Sequence, residues 1–208
     1  MSLVLIDFDG TLTSKDSLFK FLLFCKKKVF YIYIILFIPT YILYLLGVIS
    51  NHTAKEKLFK IFFKNTKKEQ FTTLCINFAK YQIPKILNQN MLKKLQKHIE
   101  NKDDIVIVSA SIEDYLIPFA KELSKKSDAN RDINVLATKL EFKNSLFTGN
   151  FKTKNCYGKE KVNRILENYT LSEYKKIYAY GDSEGDKEMF LLASDKFKVT
   201  TKDIKKFN

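Results

Sequence analysis

The chain has 208 residues, of which 46% are hydrophobic, and a formal charge of +13 at pH 7; that is enough to bury a core as one domain with a sizeable insertion or as two small ones. Its three cysteines, Cys25, Cys75 and Cys156, form no CxxC pair, which argues against a disulfide framework or a zinc site and fits a reducing, cytosolic compartment. The basic residues are nearly all lysine, with Arg131 and Arg164 the only arginines; without arginine forks no nucleic-acid partner is expected, and the lysines read as a solvated surface or as an attraction for anionic lipid or substrate.

In chain order, Leu3 to Ile6 is a short apolar run ending in Asp-Phe-Asp-Gly-Thr, the pattern of a buried strand that delivers carboxylates into a loop. From Ser14 to about Asn101 the pattern is helical throughout, far longer than an ordinary connection, and predicts a helical insertion. Within it Val29 to Ser50 carries no charge over 22 residues and follows three lysines. Its length alone suits a membrane span. Pro39 near its middle predicts two pieces of about ten residues. The segment is therefore read three ways: as paired cap helices, as a membrane-docking or re-entrant element, or as a span.

Beyond the insertion, apolar runs at Ile105 to Val108 and Ile177 to Tyr180 also end in polar clusters. Shorter strands are expected at Ile133 to Ala137 and Phe197 to Thr200, and a hairpin over Leu140 to Phe142 and Leu146 to Phe151. Ile112 to Lys125 and Lys159 to Asn168 show helical spacing. This alternation predicts an α/β fold: a doubly wound, mainly parallel Rossmann-like sheet with a helical cap inserted after the first strand. Residues 1–13 and 102–208 would form the core and 14–101 the cap. In such sheets the ligand lies beyond the carboxyl ends of the strands, where all three polar clusters fall.

Phosphoryl transfer needs a nucleophile, a metal, a proton donor and cations for the equatorial oxygens. Asp7 and Asp9, two residues apart at a strand end, share a side if the backbone stays extended, so one carboxylate can attack while the other handles the proton. Gly10 permits a sharp turn, and Thr11 offers a hydroxyl to the phosphate. Mg2+ takes hard oxygens and retains waters; Asp7, Asp182 and the carbonyl of Asp9 are its expected ligands, with Asp186 supporting them. The Ser109 hydroxyl and the following amide, that of Ala110, can donate to phosphoryl oxygens. Lys159, opening a helix after Gly158, is the expected cation.

Asp7-Phe8-Asp9-Gly10-Thr11-Leu12-Thr13, Val108-Ser109, Lys159 within Gly158-Lys159-Glu160-Lys161-Val162, and Gly181-Asp182-Ser183-Glu184-Gly185-Asp186 resemble the four signatures of the haloacid dehalogenase superfamily. Within it Val108-Ser109-Ala110-Ser111, Leu136-Ala137-Thr138-Lys139-Leu140-Glu141 and Asn155-Cys156-Tyr157-Gly158 are similar to subfamily IB, the phosphoserine phosphatase-like branch. The resemblance implies a Mg2+-dependent phosphatase with Asp7 as nucleophile and Asp9 as general acid and then base. Asp16 sits where that branch has an acidic residue on the cap side, so it is expected at the substrate. The branch's cap arginine has no counterpart between Ser14 and Asn130, which disfavours phosphoserine itself. The apolar cap segment is similar to members acting on lipid phosphates, such as bacterial phosphatidylglycerophosphatase. A phosphorylated small molecule or lipid is thus the expected partner, and the site is cytoplasmic, peripheral on the inner membrane face where residues 29–50 engage it. A phosphotransferase or mutase, and a non-catalytic membrane-associated regulator on the same fold, are the alternatives.

Overall fold

The computed structural model describes residues 1–125 and 132–207, so Arg131 lies outside the described residues. The chain begins with β1 (Ser2–Ile6) and a tight turn, then runs through α1 (Ser17–Lys26), α2 (Phe30–Leu45), α3 (Asn51–Phe63), α4 (Lys68–Tyr81) and α5 (Gln89–Glu100). There follow β2 (Asp104–Ile112), α6 (Glu113–Lys125), β3 (Asn134–Thr138), the hairpin β4 (Leu140–Lys143) and β5 (Leu146–Phe151), and α7 (Lys159–Asn168). The chain ends with β6 (Lys176–Gly181), α8 (Lys187–Phe190), β7 (Asp195–Val199) and β8 (Ile204–Phe207).

Six strands form one sheet in the order β3-β2-β1-β6-β7-β8, parallel except for β8. Alternating side chains of a strand face opposite sides of the sheet, and both sides of β1 are covered. Val4 and Ile6 join the cluster built with α1 to α6, while Leu3 and Leu5 join a smaller one with Ile165 of α7 and Met189 of α8. This double burial is why β1 reads as an unbroken apolar run. Ile6 pairs with Ile107 on β2 and Tyr180 on β6, so the residues after all three strands emerge at the same sheet edge.

The helical insertion is held to the sheet domain by aromatic packing. Phe21 of α1 meets Phe63, Phe71 and Phe78 from the insertion and Tyr115 from α6. The hairpin completes this unit, with Phe71 of α4 packed on Phe142 and Phe147. The last helix of the expected cap, 14–101, lies against the sheet. Helix α5 packs on the sheet, with His98 against Tyr178 and Tyr180 and Lys94 over Phe197. His98 also bonds Asp103 and the Tyr180 hydroxyl, each at 2.8 Å. As the element just before β2, α5 has a geometric reason to lie on the sheet that β2 joins.

Helix α2 departs from expectation at Pro39. It runs through Pro39 without a break; the proline removes one backbone hydrogen bond, but a side-chain contact spans it, the ring of Phe37 lying tilted against that of Tyr41, which in turn meets Tyr44. Nor is the helix buried: Phe37 is its one buried residue. No helix among the described residues is long and apolar enough to cross a membrane.

Candidate active site

Strand β1 is followed at once by Asp7, whose amide donates to the carbonyl of Tyr180 at 2.9 Å, tying the first loop to the end of β6. Asp9 keeps an extended backbone and Gly10 turns with a φ of 80°. A side chain at position 10 would collide with the Asp182 carboxylate. Glycine is thus required twice, for the turn and for the approach of the two acidic loops.

Asp7, Asp182 and Asp186 converge, each offering a carboxylate oxygen within 4.8 Å of the others. The cation among them is Lys161, not Lys159. The ammonium of Lys161 donates to Asp7 at 2.5 Å and to Asp186 at 2.6 Å, and the side chain is buried. Lys159 is exposed. Helix geometry explains the correction: two residues along a helix turn the side chain by about 200°, so of the two lysines only one can face inward. Lys161, Arg164 and Ile165 are the buried face of α7. Counting back four positions from the apolar Ile165 would have found Lys161, whereas position after the glycine pointed to Lys159.

Asp186 spends both oxygens on protein donors. One receives Lys161; the other accepts the amides of Asp182 and Ser183 at 3.2 and 3.1 Å and the Ser183 hydroxyl at 3.1 Å. It organises the acidic loop. By contrast, Asp182 Oδ1 and Thr11 Oγ1 are buried without a hydrogen-bond partner among the described residues. Buried polar atoms are ordinarily satisfied, so these two mark where a ligand belongs.

Asp9 is held apart from that cluster. Its carboxylate accepts the Ser17 amide at 2.7 Å and the Ser111 hydroxyl at 2.5 Å. The Ser17 hydroxyl in turn bonds Ser111 at 3.2 Å and Tyr115 at 2.9 Å. Ser109 Oγ accepts the Ser111 amide at 3.0 Å, which leaves its own proton to donate. Ala110 is engaged through its carbonyl, which accepts Thr138 Oγ1 at 3.1 Å and Lys55 Nζ at 3.4 Å. Asp16 caps α1, accepting the Phe19 amide at 3.0 Å, and it is exposed. Its charge is felt by Asp9 and Lys55.

Ser17, Ser111, Tyr115 and Lys55 were not marked by the sequence. The first three stand out only once the sheet brings positions about a hundred residues apart together. Lys55 is one of many lysines in the insertion, and its bond to the Ala110 carbonyl distinguishes it.

The electrostatics are those of charges withdrawn from water. Burial pushes the Asp7 carboxyl up to about 7, against the pull of Lys161. Burial likewise raises Asp182 to about 6, helped by the neighbouring Asp186, and raises Asp9. For Lys161 burial opposes the charge, but Asp7 and Asp186 outweigh it and hold the ammonium above its ordinary range. Burial lowers Lys55, with Asp9 as its leading electrostatic support. A small cavity between cap and sheet, lined by Leu18, Lys55, Phe59, Ala110, Ser111 and Tyr115 among others, measures about 10 Å³, room for no more than one water.

The donor set fits a hard divalent cation: carboxylate oxygens of Asp7 and Asp182 at close quarters, one of them buried and unpartnered, with Asp186 fixing the loop.

The chain resembles known proteins in sequence and in fold. A family profile described as haloacid dehalogenase-like hydrolase matches residues 4–191. The chain is 29% identical to Protein CicA of Caulobacter vibrioides over 197 residues, covering 93% of this chain and 84% of that one. A Bordetella pertussis Tohama I protein of unknown function has a similar structure, with a TM-score of 0.76 at 17% identity over 94% of this chain and 88% of that chain. A phosphoserine phosphohydrolase-like protein from Francisella tularensis gives 0.60 at 22% identity, over 94% and 86%.

Proposed function

Since the chain belongs to the haloacid dehalogenase-like hydrolase family, we propose that it is a Mg2+-dependent phosphomonoester phosphatase of the phosphoserine phosphatase-like branch, working through an aspartyl-phosphate on Asp7. The observation that carries this reading is the separation of the two carboxylates of the first loop. Asp7 is bound to a buried lysine beside Asp182 and Asp186, whereas Asp9 is held by Ser17 and Ser111 on the cap side. A nucleophile and a proton donor need different environments, and this loop supplies both.

Lys161 favours the ionised form of Asp7 against its burial, and the Asp7 oxygen that Lys161 does not hold attacks phosphorus. The phosphoryl oxygens are met by the Ser109 hydroxyl, the Ala110 amide and the Thr11 hydroxyl, with the Lys161 charge beside them. Asp9 gives its proton to the departing alkoxide, then takes one from the water that opens the Asp7 acyl phosphate, so the Asp7 carboxylate is restored and inorganic phosphate is released. A Mg2+ ion held by Asp7, Asp182 and the Asp9 carbonyl would neutralise charge on the transferring group. The small cavity between cap and sheet supports a cap that opens to admit substrate and shuts to exclude bulk water.

On the leaving-group side the cap offers Lys55, a half-buried insertion lysine that donates to the Ala110 carbonyl, with Asp16 nearby at the exposed rim. With no arginine in the insertion, a fork for a carboxylate is lacking, and an anionic or hydroxylated alcohol portion suits Lys55 better. The lipid-facing form of this reading, an amphiphilic phosphate, is supported by the exposed apolar helix α2.

Phosphate release from phosphoserine, sugar phosphates, nucleotides and phosphatidylglycerophosphate in detergent, with and without Mg2+, tests the proposal. Metal-dependent turnover of at least one substrate, lost in Asp7→Asn, is expected. Unchanged turnover in Asp7→Asn would sink the mechanism, and transfer to an added alcohol without phosphate release would favour a phosphotransferase.

A further inference from the structure

Helix α2 presents an unbroken apolar face to solvent. Tyr31 (72% exposed), Ile35 (64%), Ile38, Ile42 and Leu45 (64%) run along it, flanked by Ile32, Leu36, Leu43 and Leu46 (71%). These positions recur at three- and four-residue spacing and so share one side of the helix. Folded chains seldom leave so large a contiguous apolar surface in water unless something covers it. The opposite side is already occupied: Phe30 and Tyr33 pack on Phe62 of α3 at 6.0 and 5.1 Å.

We infer that this face docks the protein in the plane of an anionic lipid bilayer. Charge selects that occupant. Lys26, Lys27 and Lys28 stand directly before the helix, and no charged residue interrupts Val29 to Ser50. A second copy would bring another +13 chain against the same face, whereas an anionic membrane gains from every lysine near it. Tyr31 and Tyr41, both exposed, have the ring-and-hydroxyl character that favours the headgroup level. Sixteen residues make a helix about 24 Å long, short of the ~30 Å hydrocarbon layer, and its inner side is committed to α3. The helix lies in the interface with the protein body as its polar face.

Docking there has a consequence for the site. The start of α3, which follows the turn after α2, is tied to the loop that leads into α7: Asn155 donates its side-chain amide to Asn51 at 2.7 Å and its backbone amide to His52 at 3.1 Å. Three residues later Gly158 opens the helix that carries Lys161. A membrane under α2 therefore lies beside the cleft, where a phosphate on a lipid headgroup can be reached without leaving the bilayer; this last step rests on the phosphatase reading, and docking itself does not.

The test is co-sedimentation of the full chain with vesicles of phosphatidylcholine alone and of phosphatidylcholine mixed with phosphatidylglycerol, alongside Mg2+-dependent hydrolysis of soluble p-nitrophenyl phosphate. The wild type is expected to pellet with the mixed vesicles and weakly with the neutral ones. Ile35→Glu with Ile42→Glu should weaken partition about a hundredfold, from roughly tenfold per buried side chain. Lys27→Glu with Lys28→Glu should cost at least about fivefold per lysine on anionic vesicles only. All variants should keep the wild-type circular dichroism and soluble turnover. A wild type that stays in the supernatant, or a double-glutamate variant that pellets like it, overturns the docking face. So does a wild-type dimer in sedimentation velocity that the same variant dissolves, which would give the face to a second copy. Pelleting without any soluble turnover leaves docking standing and defeats the phosphatase reading.

Discussion

Two lysines separated by one glutamate make opposite predictions. Lys161 is buried between Asp7 and Asp186, and removing one partner from such a cluster strands the others in a medium that cannot solvate them. Lys161→Ala is therefore expected to destabilise the fold by about 3–5 kcal/mol and to abolish turnover. Lys159→Ala, at an exposed position, should stay within about 0.5 kcal/mol of wild type with turnover intact. Thermal melts and phosphate release on the purified pair check this; the reverse pattern would restore Lys159 to the role that its place after Gly158 suggested. The acidic residues were legible because two of them follow an apolar strand at once and the others close another. The lysine was not, because a helix start contains several residues within reach of a loop, and only the phase of the helix picks one. The same limit applies to Ser111 and Tyr115, whose bonds to Asp9 and Ser17 exist only across the assembled sheet.

At the scale of elements, strand and helix positions followed from the hydrophobic period, and α7 begins and ends where that period does. β2 is longer than its apolar run, because Ser109, Ala110 and Ser111 continue the strand with a register irregularity against β3. Polar residues inside a buried strand look like its end until their partners are known. The edge strand β8, Ile-Lys-Lys-Phe, has no apolar run to announce it, and it pairs antiparallel with β7, where lysines on an edge are unremarkable. Arg164 explains a residue whose role the composition could not suggest. It donates to the carbonyls of Ala137 and Lys154 and pairs with Glu160 at 3.1 Å, clamping the end of β3 and the loop before α7. The unbroken α2 shows that a proline is a local cost, which flanking contacts can outweigh.

For the whole molecule, the buried acids link stability to pH and to metal. Asp7 and Asp182 have their carboxyl groups raised to about 7 and about 6 from 3.8. Between about pH 4 and pH 7 the folded chain thus binds more protons than the unfolded one, and the metal-free protein loses stability as pH rises through that window. A divalent cation on the same oxygens competes with those protons. Saturating MgCl2 is expected to raise the melting temperature by several degrees at pH 8, on the order of what ligand at a hundred times its Kd provides, and by little at pH 5. Asp182→Asn should erase the pH 8 shift. An equal shift at both pH values, or one that survives in Asp182→Asn, would place the ion elsewhere.

Phosphorylation of Asp7 during turnover, on which the proposed mechanism rests, can be read chemically. Quenching the working enzyme with borohydride reduces an aspartyl-phosphate to homoserine, which peptide mass spectrometry locates. The account predicts homoserine in place of Asp7, dependent on substrate and Mg2+ and absent in Asp7→Asn. Turnover with Asp7 left unmodified, or with the modification at Asp9, would contradict it.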